Sequence, residues 1–526
     1  MLIALSLATA DQTIVTVALP TIAGQFGGDV LTWLVSAYIL PFAISAPLFG
    51  KLGDLFGRRN VLQVSIVVLL VGSALCGVAQ SAYQLIGLRV VQGIGAGGVV
   101  SASLGVTGEI IPPRERGRYT AYFATVSTAS TLLGPLLGGV LVDRLSWRSV
   151  FYVNLPVGLA ALALVYRTVP APAPARRASI DWPGAGWFVA AAGVLLTTIQ
   201  TGGRSFPWRS WQTVALLSGA AILFAAFVRR EHTAPEAVLP PRLFTNRTFR
   251  VCAVLSFVTG MVVFSTTVFL QQYFQLVDDV SATVGGLRML PFLGGVLLAS
   301  VLSSRRIRGH GRYKRHIVSG TVAVTAGLLL LTRIGAGTGA GPLAVWMFTT
   351  GAGLGLFMQN QLVAAQNAAD RRDIGVTTST ILFLQSVGGL LSVSALGALL
   401  SARTNTKIDH LLPGGVAVAD GSSRFVEAPR SVARLPEPAR RALRVAYADS
   451  LSLVFAVLVV IGLLAVVASI FLREIRLSGP SGISQDGRPG SPGAPRVSGR
   501  HRGDRTVRHR SGIAEIRPAG SRPDLP

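Results

Sequence analysis

Apolar runs of about twenty residues, broken by short basic loops, recur along almost the whole chain. A helix needs ~20 mostly apolar residues to cross the hydrocarbon core of a membrane. Read in windows of that size, the sequence predicts fourteen spans: 1–23, 33–50, 61–79, 84–108, 118–142, 149–168, 184–201, 211–228, 250–273, 284–302, 316–333, 341–363, 374–400 and 450–472. A transmembrane barrel would read as alternating segments of ~10 residues, and these runs are too long and too continuous for that. The expected fold class is an all-α polytopic membrane protein.

Composition agrees. Charged residues make up 13% of the 526 and the mean hydropathy is +0.55. A soluble domain carries about 25% charged residues. The formal charge of +25 suggests nucleic acid, but the basic residues are dispersed in short clusters between apolar runs and in the tail. Nucleic-acid binding collects them on one face, so no nucleic-acid partner is expected. Cys76 and Cys252 both lie inside apolar runs, which argues against a disulfide framework. No metal-ligand spacing and no cofactor motif is present, and no nucleophile–base pair lies within an apolar run, so an enzyme is not expected.

Met1–Ala10 has the apolar stretch of a signal peptide but lacks its positive n-region, and apolar character resumes from Ile14. It reads as the first span. Orientation follows from the loop cations. With the N-terminus inside, the inner loops collect Lys51, Arg58 and Arg59; Arg114, Arg116 and Arg118; Arg305, Arg306, Arg308, Arg312, Lys314 and Arg315; and others. The short outer loops hold only Arg144, Arg148, Arg204, Arg209 and Arg333. Both termini are then cytoplasmic, and the long loop 401–449, with 431–449 a candidate amphipathic helix, falls outside. The tail is rich in Gly, Pro, Ser and Arg and is expected to be disordered. Its arginines could touch anionic lipid. The arginine bias over lysine suggests a GC-rich bacterial genome.

Several segments carry chemistry. Gly50–Arg59 reads GKLGDLFGRR, with an acid, Asp54, in a loop otherwise selected for positive charge. Arg89 stands alone in an apolar run, with Gln92, Gly93 and Gly97 on the same helical face. A charge in a membrane is costly and faces a cavity or a partner. Asp11 is the acid within the first span. A carboxylate there costs about 2.5–3.5 kcal/mol on insertion scales, and protonation relieves that cost. It could carry a proton or bind a cationic substrate. Ser127, Thr131, Gly134, Pro135 and Gly138 form a small-residue seam. Gln271, Gln272, Gln359, Asn360 and Gln385 are amides in apolar surroundings, able to bind substrate or to bridge helices. Arg288 reads as an interfacial anchor.

These motifs resemble the major facilitator superfamily, and in particular its fourteen-helix drug:proton antiporter branch. GKLGDLFGRR is similar to the signature loop that latches the two halves together, which assigns that role to Gly53, Asp54, Gly57, Arg58 and Arg59. Arg89-x-x-Gln92-Gly93 is similar to the superfamily's RxxQG run, linked there to proton coupling. Gly134-Pro135-Leu136-Leu137-Gly138-Gly139 resembles the antiporter motif of exporters, although Ser130 stands where that motif has a glycine. Asp11–Pro20, Trp147–Gly158 and Asp181–Gly184 resemble further runs of the same branch. Loop 303–315 reads as a weak repeat of the Gly50–Arg59 loop.

The resemblance implies a six-helix half over 1–169, two inserted helices with linkers over 170–249, a second half over 250–472 and a tail over 473–526. It implies proton-coupled efflux of amphipathic or cationic drugs or antibiotics across the cytoplasmic membrane by alternating access, with Asp11 and Arg89 in proton coupling. Its partners would be a small-molecule drug or metabolite, protons and the lipid bilayer. A dedicated exporter of one self-made metabolite remains open; an importer is disfavoured by the GPxxGG run.

Overall fold

A computed structural model of the chain describes residues 1–26, 30–170, 181–202, 210–234, 237–280, 282–370, 373–411 and 437–474. Among them the chain is helical and has no strands. The first half consists of α1 (Leu2–Phe26), α2 (Val30–Phe56), α3 (Arg58–Gly77), α4 (Ala82–Ile110), α5 (Pro113–Arg144), α6 (Ser149–Tyr152) and α7 (Asn154–Thr168). Next come α8 (Trp182–Thr201), α9 (Trp211–Thr233) and the short α10 (Pro241–Thr245). The remainder is α11 (Arg247–Leu276), α12 (Ala282–Arg288), α13 (Leu290–His310), α14 (Lys314–Leu331), α15 (Ala340–Ala368), α16 (Ile374–Leu411) and α17 (Glu437–Ile470).

Each expected span falls on helix, span 284–302 on two, α12 and α13, parted at Met289. Among the described residues, eleven helices are long and apolar enough to cross a membrane. Of the others, α5 opens on a basic turn and α14 has only 18 residues, two of them basic at its start. Span 149–168 is broken at Val153 into α6 and α7. Pro156 explains the break: it has no N–H to give to the Tyr152 carbonyl four residues back.

The last two helices exceed expectation. α16 has 38 residues and α17 has 34, about 57 and 51 Å at 1.5 Å per residue. The hydrocarbon core is ~30 Å thick. The candidate amphipathic helix therefore merges with the last span from Glu437 onward; residues 431–436 and most of the preceding loop lie outside the described residues, as does the tail from residue 475 onward. Alanines favour helix here, and Glu437 pairs with Arg440 one turn on, at 2.6 Å. Lys407 of α16 meets Asp449 of α17 at 2.8 Å.

Two apolar clusters fill the first half, one around Leu62, Ile66, Leu69 and Val99, the other around Ile14, Trp147 and Phe151. A larger cluster gathers residues beyond 250, joined by Leu5, Leu104 and Phe123 from α1, α4 and α5. Cys76 and Cys252 are buried and free. Among the described glycines, positive φ occurs at Gly57 (87°) and Gly311 (67°). Gly57 turns the chain from α2 into α3, and Gly311 ends α13. The two loops that read as repeats thus share a left-handed glycine, a conformation other residues adopt only with strain.

Candidate functional site

Asp11 of α1 and Arg89 of α4 meet inside the first half. Arg89 Nη1 donates to Asp11 Oδ2 at 3.2 Å, and the side chains are 2% and 0% exposed. Gln92, one turn after Arg89, accepts from Arg89 Nη1 at 2.7 Å through Oε1 and donates Nε2 to Asp11 Oδ1 at 2.9 Å. Asn154 donates to the same Oδ1 at 2.5 Å. The break at Val153 makes Asn154 the first residue of α7. Ser73 of α3 lies behind both amides, and the Arg89 guanidinium sits 4.1 Å from the centroid of the Tyr38 ring. A buried ion pair persists only where its remaining lone pairs and protons find partners. Here two amides, a hydroxyl and an aromatic face supply them. Arg89 Nε is without a hydrogen-bond partner.

The pairing of Asp11 with Arg89 joins the two charges singled out in the sequence. Ser73, Tyr38 and Asn154 have no individual signature in the sequence. Asn154 lay within the Trp147–Gly158 run, and Ser73 and Tyr38 gave no signal beyond a polar atom in an apolar stretch.

Close packing holds this cluster. A Cβ on Gly93 would fall onto the Tyr38 carbonyl oxygen, and one on Gly97 onto that of Phe42. The GxxxG pair therefore sets α4 directly on α2. Gly93→Ala is expected to separate these helices, displace Tyr38 from Arg89 and cost about 1–3 kcal/mol. Thermal unfolding in detergent should show the lowered midpoint; an unchanged midpoint would refute the packing argument.

The glycine seam of α5 packs on α1 just beyond Asp11. A Cβ at Gly134 would strike Thr13 Oγ1, and one at Gly138 would stand 2.7 Å from the Ile14 carbonyl oxygen. Ser130 bonds Ser6 across the same interface at 2.7 Å. Gly139 has open space. The Pro135 side chain lies outside the described residues.

At one end of the bundle, Asp54 joins the first half to α16. Arg58 binds it through Nη2 at 2.6 Å and Nε at 3.2 Å. Oδ1 and Oδ2 also accept the backbone N–H groups of Gly375 and Val376, at 3.0 and 2.9 Å. These are among the orphan amides of the first turn of α16, where a negative charge also complements the helix dipole. Arg58 Nη1 continues to the Gly105 carbonyl of α4 at 2.8 Å. Gly53 leaves 3.2 Å between a hypothetical Cβ and Arg58 Cγ. Arg59 turns away to the Tyr166 carbonyl of α7 at 2.7 Å. Arg242 of α10 adds a second tie at the same helix end, with two bonds to Asp373 at 2.8 and 3.1 Å.

The amides of the second half are not gathered. Gln272 Oε1 accepts from Tyr447 of α17 at 3.1 Å. Asn360 donates to Ser303 of α13 at 3.2 Å. These two bridge helices. Gln359 is buried beside Asn360, Gln271 borders Gly285, and the Gln385 backbone carbonyl abuts Gly260. Arg288 pairs with Asp278, and its guanidinium lies 5.7 Å from the Phe274 ring.

Long apolar helices around a buried ion pair define a multi-pass, all-helical membrane protein. The chain belongs to the major facilitator superfamily, whose pattern matches residues 1–393. It is 36% identical over 472 residues to an uncharacterized MFS-type transporter of Mycobacterium tuberculosis (strain ATCC 25618 / H37Rv), covering 90% of this chain and 68% of that one. It is 33% identical over 417 residues to the multidrug transporter protein MdtP of Bacillus subtilis (strain 168), covering 78% and 76%. Among solved structures, the human organic anion transporter MFSD10 superposes with a TM-score of 0.57 at 14% identity, over 88% of this chain and 97% of that one. The proton:xylose symporter XylE, bound to 6-bromo-6-deoxy-D-glucose, gives 0.56 at 13%, over 90% and 94%. At such identities the structural likeness concerns the fold. The protein is thus a transporter of this superfamily, with relatives named for multidrug transport and efflux.

Proposed function

We propose that the protein exports amphipathic or cationic small molecules, drugs or antibiotics among them, across the cytoplasmic membrane in exchange for protons. The observation that carries this reading is the Asp11–Arg89 pair, buried to 0% and 2% exposure inside the first half. A carboxylate so placed can be discharged by a proton, and its partner then loses its counter-charge. The names of the multidrug relatives give the substrate class.

In this reading residues 1–169 and 250–472 are the two moving halves, α8 and α9 are inserted between them, and fourteen spans leave both termini cytoplasmic. The Asp54 bridge to α16 closes the cytoplasmic end, so substrate leaves and protons arrive on the other side. A proton entering from outside neutralises Asp11 and frees Arg89. Proton and substrate can shift the inward–outward balance only through their different affinities for the two states. The membrane potential supplies ~2.3 kcal/mol per charge per 100 mV if net charge moves inward.

Uptake of a fluorescent cation into energised inverted vesicles tests this. Accumulation should collapse with a proton uncoupler and be lost in Asp11→Asn. Accumulation that survives the uncoupler would overturn proton antiport. Absence of transport for a panel of drug cations, in vesicles where the protein is correctly inserted, would redirect the reading to a dedicated metabolite exporter.

A further inference from the structure

The two oxygens of the Asp11 carboxylate have different surroundings. Oδ1 accepts from Asn154 Nδ2 at 2.5 Å and from Gln92 Nε2 at 2.9 Å. Oδ2 accepts from Arg89 Nη1 at 3.2 Å. The two amide nitrogens also share a second acceptor, Ser73 Oγ, at 2.7 Å from Asn154 and 2.8 Å from Gln92. The Ser73 hydroxyl proton is directed elsewhere, to the Phe151 carbonyl at 3.1 Å.

A hydroxyl has one proton and two acceptor lone pairs. With its proton on Phe151, Ser73 Oγ can only accept. Each amide must then turn its NH2 group toward Ser73, and the second N–H of that group falls on Asp11 Oδ1. Turning either amide over would set a carbonyl oxygen against the lone pairs of both Ser73 and Asp11. Gln92 is fixed a second way, because its Oε1 accepts from Arg89. Asn154 depends on Ser73 for its orientation.

We propose that Ser73 and Asn154 are positioning residues that make Oδ2 of Asp11 the atom receiving the coupled proton. This rests on the reading of Asp11 as the proton carrier. A proton on Oδ1 would have to displace an amide N–H and leave that donor buried and unpaired, at a cost comparable to a lost hydrogen bond. A proton from the external water that joins Oδ2 displaces the single, longer Arg89 contact at 3.2 Å, in place of one of the two short amide contacts on Oδ1, and the Tyr38 hydroxyl stays within hydrogen-bond reach of the carboxyl. The carboxylate becomes a neutral acid, Arg89 keeps all its protons, and the guanidinium is left with Gln92 Oε1 and the Tyr38 ring. The amides thus direct the consequence of protonation to α4. Among the described residues, the charged or titratable groups facing Asp11 are Arg89 of α4 and Tyr38 of α2, with Cys76 of α3 beyond Gln92. α7 contributes the neutral Asn154, and α5 packs its glycine seam one turn away.

The test uses the full-length protein in liposomes, with infrared difference spectra of the protonated carboxyl and the pH profile of transport. In the wild type the C=O of protonated Asp11 is Oδ1, doubly hydrogen-bonded, so its stretch lies low. Asn154→Ala and Ser73→Ala should both raise that frequency. Both should also move the half-maximal pH of transport upward by about one unit, the equivalent of one lost hydrogen bond to a charged group. Ser73→Thr, which keeps the hydroxyl, should stay with the wild type. A purely structural role would lower yield or maximal rate without moving the band or the profile, and that result in both variants would overturn the proposal. Should Asn154→Ala fail to insert, Ser73→Ala, which removes a single oxygen, decides alone. Proton exchange that persists in Asp11→Asn would instead remove Asp11 as carrier, a failure separate from that of the two positioning residues.

Discussion

Arg89→Ala is expected to abolish proton-coupled transport and to destabilise the folded protein by about 3–5 kcal/mol, the range for breaking a buried pair on one side. The variant strands Asp11 as an uncompensated carboxylate, left with neutral partners, the Gln92 and Asn154 amides and the Tyr38 hydroxyl. It also empties the space against the Tyr38 ring. The two effects can be separated. Asp11→Asn combined with Arg89→Ala removes both charges, so it should regain much of the lost thermal stability while remaining inactive in proton exchange. Asp11→Asn alone leaves Arg89 buried and unpaired, and should be less stable than the double variant. Thermal unfolding in detergent, read beside transport in liposomes, checks the series. Full transport by Arg89→Ala would show that the pair is structural, and a double variant no more stable than either single one would deny the coupling between them.

Much of this arrangement was legible in the sequence because charge in an apolar run is conspicuous. Asp11, Arg89 and Asp54 each stood out by sign or by setting. That Asp11 and Arg89 meet was not legible, since 78 residues separate them and pattern alone does not say which helix faces which. Asn154 and Ser73 were hidden for a different reason. Neutral polar side chains bridge helices as readily as they tune a carboxylate, so their type carries little information. The same ambiguity covered the amides of the second half, of which Gln272 and Asn360 prove to be bridges. Asp54, an acid in a basic loop, reads as a partner for a basic residue or a helix N-terminus, and it has both; which helix end it caps was hidden, because backbone amides are offered by every residue but proline. Helix positions followed from hydropathy, and the largest boundary differences, at the end of α16 and the start of α17, arose where it fails. Arg440, Arg441 and Arg444 lower the apolar signal of α17 for three turns before Ser450, although the helix is continuous.

The Asp54 bridge carries the other large effect. Asp54→Ala removes two bonds from Arg58 and two from the Gly375 and Val376 amides, leaving the first turn of α16 uncapped. Hydrogen bonds to a charged group contribute about 1.5–3 kcal/mol each. Losing even one of these from the closed state moves the balance toward an opened end by about tenfold or more. Under the proposed alternating access transport should fall at least tenfold, because such a cycle needs both ends to close in turn. Hydrogen exchange reads the cause directly: the Gly375 and Val376 amides should exchange about tenfold faster or more, while those within α3 and α14 stay protected. Arg58→Ala should have a smaller effect on exchange, since Asp54 can still cap α16, but it gives up the tie to Gly105. Arg59→Ala should keep most of the activity. Its guanidinium goes to the Tyr166 carbonyl of α7 in the same half, at an exposed site. Equal damage from Arg58→Ala and Arg59→Ala would contradict this division, and unchanged exchange at Gly375 in Asp54→Ala would contradict the bridge itself. The contrast between the adjacent arginines is the more telling measurement, because the sequence motif treats them alike and only their partners in the fold separate them.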